Sequence, residues 1–160
     1  MPSPSRLTPH PSRLRASRSR LTPHASRLLN SARVAHLATV DASGQPHVIP
    51  ICFIFNGGKF YSPIDEKPKR TAPARLKRLR NIAENPQVAL VIDRYDEDWR
   101  KLAYALILGE AKILRRGKIH QNAVSLLRRK YRQYRFMAIH DRPMISIRPA
   151  RIVVWGGAQS

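Results

Sequence analysis

Residues 34–64 carry a rhythm that restricts the fold more than any other stretch: an apolar run of strand length, residues suited to a tight turn, then another run. The runs at 34–40 (VAHLATV) and 47–55 (HVIPICFIF) are rich in β-branched and aromatic side chains, which suit a pleated, half-buried surface. DASGQP separates them and NGG follows the second; glycine and asparagine take the positive φ that hairpin connections demand. A shorter run at 59–64 (KFYSPI) completes a predicted three-stranded antiparallel meander. Pro50 lies inside the second run. Proline has no N–H to give a ladder, so that strand belongs at an edge or a bulge, where a ligand can approach.

After the third strand, residues 67–80 hold seven Lys or Arg and no acid. Pro73 suits the first turn of a helix over 73–84, with Leu76, Leu79, Ile82 and Ala83 forming its inward stripe and Lys77, Arg78 and Arg80 on its other faces. Asn85-Pro86 ends it. QVALVI at 87–92 reads as a fourth strand buried on both faces, and 93–100 as a charged loop holding four of the ten acids together with Trp99. A fifth strand over 102–114 contains Gly109, which marks a bulge or bend. A second amphipathic helix over 118–132 turns Ile119, Val124, Leu127 and Tyr131 inward. Residues 144–147 and 151–155 close the sheet as one or two strands, broken at Arg148-Pro149. Ahead of the first strand, ASRLLNSA at 25–32 suits a short helix with Leu28 and Leu29 facing in.

Residues 1–27 are of another kind: six Arg, no acid, and SRLTPH at 5–10 returning at 19–24. Too little apolar surface is present to offset chain entropy, so a disordered low-complexity extension is expected there and a folded domain over 28–160. A chain of 160 residues with 42% apolar content makes one domain that buries about two-thirds of its unfolded surface. Its 30 Lys and Arg against 10 Asp and Glu give a net charge of +20, and the domain without its extension retains +14, which implies an anionic partner. The single cysteine, Cys52, excludes an intramolecular disulfide and a thiolate metal cluster; between Ile51 and Phe53 it reads as a buried structural thiol. No apolar run reaches the roughly 18 residues of a membrane helix, and a cytoplasmic protein without membrane attachment is expected.

Taken in order, ATVDASGQPHVIPICF, KPKRT (67–71), LRNIAENP (79–86) and YDEDW (95–99) resemble the pyridoxamine 5'-phosphate oxidase-like (PPOX-class) split-barrel family. Within it, the chain is similar to the branch of probable oxidoreductases that use the deazaflavin coenzyme F-420, over roughly residues 28–155. The resemblance implies a mainly β (α+β) fold: an FMN-binding split β-barrel, six-stranded, antiparallel and Greek-key, with two or three flanking helices. It also implies a homodimer with the cofactor in the groove between two barrels. Carried over by position, Val48, Ile49, Pro50 and Ile51 face the ring, Tyr61 and Ser62 border it, Lys67, Lys69 and Arg70 hold phosphate, and Lys77 and Arg80 reach along the tail.

No Ser-His-Asp order, HExxH, CxxC, Walker loop or GxGxxG occurs, and no two of the six histidines stand at metal-ligand spacing. No metal and no resident catalytic residue are assigned; His36 and His47 read as structural. A chain without an acid-base constellation is still an enzyme when a cofactor carries the chemistry, as in hydride transfer by a flavin or deazaflavin to a small organic substrate. FMN brings about two negative charges, whereas F-420 carries a phosphodiester and a chain of glutamate carboxylates; seven cations suit the larger anion. Two alternatives stay open. One is an FMN-binding oxidase or flavin-binding protein on the same barrel. The other is a noncatalytic binder of nucleic acid or an anionic surface, although neither an aromatic RNA-binding strand nor a helix-turn-helix supports specific nucleic-acid recognition. Trp99 and Trp155 suit either flanking a ring or packing.

Overall fold

The computed structural model describes residues 13–15, 21–65 and 76–156. Eight strands and three α-helices follow one another as β1 (Arg13–Arg15), α1 (Pro23–Ser31), β2 (Ala35–Val40), β3 (Pro46–Ile51), β4 (Ile54–Asn56), β5 (Lys59–Pro63), α2 (Lys77–Glu84), β6 (Gln87–Arg94), β7 (Ala103–Leu114), α3 (Lys118–Lys130) and β8 (Met144–Gly156). One antiparallel sheet in the order β3-β2-β6-β7-β8-β5-β4 curls into a half-barrel. β8 gives one edge to β7 along its whole length and the other to β5 and then to β1.

The expected split-barrel fold stands, with three corrections to its strands. The run at 47–55 is two strands, so the meander is really two hairpins: β2–β3 at one end of the sheet and β4–β5 at the other. The final strand is continuous through Arg148-Pro149, because Leu108 faces Arg151 while Gly109 faces Pro149, and the extra residue is absorbed as a bulge. Gly109 is needed there, since a Cβ would collide with the Arg148 carbonyl oxygen. Finally, the segment expected to be disordered contributes β1, and the boundary at residue 27 falls inside α1, whose N-cap Thr22 accepts from the Ala25 N–H at 3.2 Å.

Two cores result. Inside the half-barrel, alternate residues such as Leu37, Leu90 and Ile107 meet Leu28 and Leu29 of α1 and Leu76, Leu79 and Ile82 beside and along α2. α3 covers the outside of β4 and β5, where Leu127, Tyr131 and Tyr134 pack with Ile54, Tyr61, Met144 and part-buried Cys52. Ile119, expected inward, is exposed: it lies off the face of α3 that buries His120, Ala123, Val124 and Leu127. β6 likewise buries Val88, Leu90 and Ile92 fully on one face only.

The split at Cys52-Phe53 has a local cause. The buried Tyr131 hydroxyl, at the C-terminus of α3, accepts from the Phe53 N–H at 3.0 Å, and its hydrogen is shared between the carbonyls of Phe53 and Arg33, each at 2.8 Å. A side chain thus satisfies backbone groups that a ladder would otherwise claim. Two cations complete the clasp. Arg33 lies over the Tyr131 ring at 4.8 Å and donates to the Lys130 carbonyl at 2.8 Å, and the Lys130 ammonium stands 4.2 Å from the Phe53 ring centre. Burial, and then the charge of Arg33, lower the Lys130 pKa to about 8, while burial pushes the Tyr131 phenol up to about 12. Tyr131→Phe leaves the Phe53 N–H without its acceptor, and we expect a loss of about 1–3 kcal/mol in urea unfolding followed by circular dichroism. An unchanged midpoint would show that the hydroxyl does not hold the seam.

Candidate cofactor site

β3 ends the sheet, and it alternates sharply. Pro46, Val48 and Pro50 are exposed, with Val48 60% accessible, while Ile49 is part-buried against the core and Ile51 buried in it. Pro46 faces Val40 and Pro50 faces His36 in the register. Since proline cannot donate, these are the positions whose backbone turns to the open edge, and Val48 between them keeps the outward N–H. Of the four residues expected at a ring, Val48 and Pro50 therefore present side chains outside the barrel; Ile49 and Ile51 turn their side chains toward the core and their backbone groups toward Leu37 and Ala35 of β2.

The outer face continues across the sheet. Pro50, His36, Val91, Leu106 and Val153 form one cross-strand row, and Val48, Ala38, Ala89, Leu108 and Arg151 the next. At the far end Tyr104 stacks on Trp155, ring centres 5.7 Å apart, so Trp155 packs within this chain, whereas Trp99 is 74% exposed. His36 approaches Asp93 at 3.8 Å on this face. A mostly apolar sheet face of this extent calls for a cover.

α2 is fastened to the β2–β3 hairpin by residues three and four apart. The Lys77 ammonium meets Asp41 at 2.7 Å, the Asn81 amide donates to the Thr39 hydroxyl at 3.0 Å, and Glu84 accepts from the Ala42 N–H at 3.0 Å. Asn81 and Thr39 are both buried, so breaking their bond strands a polar group at about 1–3 kcal/mol; the rim ion pair is screened by solvent and matters less to stability. Asn81 takes the inward place expected of Ala83, which is exposed. Lys77, expected along the tail, is paired with Asp41, and Arg80 is exposed. Lys67, Lys69 and Arg70 lie outside the described residues, as does the expected helix start at Pro73.

Sequence reasoning passed over the cation that the fold treats most unusually. Arg78 is largely buried. Its Nε is shut off from solvent without a hydrogen-bond partner among the described residues, and burial pulls its guanidinium below the ordinary arginine pKa, with Asp65 opposing the shift. On β3, the Nδ1 of His47 is orphaned in the same way. Orphaned buried donors and acceptors are rare and mark places where a further group belongs. Both flank the segments expected to hold a cofactor, and a guanidinium suits an anionic one. The only sequence signal for Arg78 was its place beside Leu79 on a helix that had to dock.

Tyr61 and Ser62 do not reach this surface. β5 is covered on both sides, so Tyr61 packs under α3 and Ser62 is 2% exposed inside the barrel. Open clefts elsewhere among the described residues include one of about 720 Å³ between α1 and the end of β6 and one of about 650 Å³ beside α3. No helix among the described residues is long and apolar enough to cross a membrane.

Compared with known proteins, residues 21–156 match the family described as pyridoxamine 5'-phosphate oxidase. The chain belongs to that family. Among curated relatives of the family, a 5a,11a-dehydrotetracycline/5a,11a-dehydrooxytetracycline reductase of Streptomyces rimosus is 30% identical over 129 residues, 80% of this chain and 78% of that protein. Similar solved structures include the heme storage protein HutZ of Vibrio cholerae (17% identity, TM-score 0.68, 86% of this chain and 95% of the other). A FAD-binding protein of Mesorhizobium loti gives 19% identity and a TM-score of 0.62, covering 84% and 92%. At these identities the solved structures establish the split-barrel fold alone.

The hairpin that displays β3 depends on an ionised carboxylate. Asp41 accepts from Lys77, from the Ser43 hydroxyl and N–H, and from the Gln45 N–H, and these bonds hold its pKa far below the usual carboxylate range. Because the folded pKa is depressed, the stabilisation is complete above the unfolded value of about 4 and fades as pH falls below it. Wild type should therefore melt above Asp41→Asn at neutral pH, the gap closing under acid; a gap independent of pH would remove the ionised carboxylate as its source.

Proposed function

We propose that this chain is a cytoplasmic, homodimeric oxidoreductase of the pyridoxamine 5'-phosphate oxidase family that binds coenzyme F-420 and uses it to reduce a small unsaturated or carbonyl substrate. The observation that carries the reading is the buried Nε of Arg78, without a hydrogen-bond partner among the described residues, at the end of a cationic run and on a helix fastened to an edge hairpin that leaves Val48 and Pro50 uncovered. The similarity to a 5a,11a-dehydrotetracycline/5a,11a-dehydrooxytetracycline reductase supports the reductive direction.

The chemistry that reduced F-420 would supply when bound is a hydride. The protein's own part is binding and orientation. Arg78, with Lys67, Lys69 and Arg70, holds the phosphodiester and carboxylates through charge-assisted bonds. The outward N–H of Val48 and the exposed ring of Pro50 would border the bound cofactor, and the outer sheet face, laid against a second copy, would keep water from it. Flavin remains the alternative on this barrel, favoured by the FAD-binding neighbour.

Fluorescence titration of the purified protein with F-420 and with FMN separates the readings. We expect saturable F-420 binding, roughly tenfold or more weaker in Lys69→Glu and in Arg78→Gln, with unchanged circular dichroism. FMN binding without F-420 binding selects the flavin reading, and a folded protein that binds neither overturns both. Ala38→Arg, at the centre of the outer face, should convert a dimer to a monomer in sedimentation; a wild-type monomer would refute the paired barrels.

A further inference from the structure

The cleft beside α3 belongs to none of β3, β5 or α2, and its chemistry is distinctive. One wall is α3, contributing Arg128 and Arg129; the other is the chain beyond it, contributing Arg135, His140 and Asp141. Three guanidiniums and one carboxylate therefore share about 650 Å³.

Arg128 is already fixed in place. Its Nε donates to the Tyr134 carbonyl at 3.1 Å, and a terminal nitrogen donates to the Met137 carbonyl at 3.4 Å and to Nδ1 of His140 at 3.2 Å. A guanidinium cannot accept, so Nδ1 of His140 is the acceptor and its ring hydrogen sits on Nε2, 3.1 Å from Asp141. The only carboxylate among the described lining residues is thus turned to a histidine rather than to an arginine. His120, buried in the same wall, donates from Nε2 to the Arg142 carbonyl at 2.8 Å. Arg135 is tethered through Nε to the Arg128 carbonyl at 3.2 Å, with its terminal nitrogens beyond that bond, and Arg129 is exposed.

We infer that this cleft is a binding site for a small phosphorylated molecule, its phosphate or diphosphate held between Arg129 and Arg135 over the fixed guanidinium of Arg128. Like charges gathered in a concavity repel until an anion enters, and guanidinium forks match phosphate oxygens in geometry. Ser125 and Gln121, one and two turns back from Arg129 along the same face, are donors for the rest of the ligand. The volume is that of a small-molecule site.

Calorimetric titration of the full chain with inorganic pyrophosphate tests the site. We expect saturable one-to-one binding that weakens at least about tenfold in the double variant Arg129→Glu/Arg135→Glu and less, but in the same direction, in Arg129→Glu alone. The pair Lys101→Glu/Lys112→Glu makes an equal charge change elsewhere and should alter affinity by no more than about twofold. No saturable binding to the wild type, or equal weakening by the two double variants, would overturn the assignment. So would binding of a single-stranded RNA oligonucleotide through these arginines without pyrophosphate binding.

Discussion

One hydroxyl decides how this sheet is cut. A strand from His47 to Phe55 could have run on as a single edge, but Tyr131 takes both backbone groups of Phe53, and the chain leaves β3 to begin β4 at the opposite end of the strand order. Because only two residues separate Ile51 from Ile54, the two edges of the sheet come together there, and the half-barrel is held at its seam by a side chain from α3. The same hydroxyl reaches the carbonyl of Arg33, two residues before β2, so the entry of the sheet, its split and the end of the last helix share one polar centre. A low-dielectric setting strengthens these bonds and makes a missing partner costly.

From that seam the rest is placed. β3 runs outward beside β2 with no further neighbour among the described strands, and α2 is pinned against their hairpin through Thr39 and Asp41, which brings Arg78 close to Asp65 at the start of the cationic segment. A site built this way rests on regular elements where it meets the sheet and on a loop where it meets charge. Loops carry recognition and scaffolds carry position.

Much of the fold was legible because its signals are local. Asn56-Gly57-Gly58 forms the tight hairpin its residues demand, with φ of +57° and +76° at the two glycines, and Gly109 lies at the bulge its isolation in a strand suggested. What was not legible depends on partners far away in sequence. Nothing around Phe53 announces that Tyr131, 78 positions later, will claim its backbone, and nothing at Arg148-Pro149 tells a break from a bulge until β7 lies alongside. The site divides in the same way. Pro50 was readable as an edge residue from its missing N–H alone, whereas the sealing of Tyr61 and Ser62 required knowing that α3 covers β5, and the capture of Lys77 required knowing which carboxylate the hairpin turn would offer.

The two prolines of β3 have a bearing beyond ligand approach. An uncovered border strand is a template for runaway association, since a foreign strand can dock along its free amides and carbonyls. Here such a strand would find one amide, that of Val48, between two rings that have none to give. The molecule can leave that border bare for recognition without inviting fibrils, and replacing either ring with an ordinary residue would restore a zipper for unrelated chains.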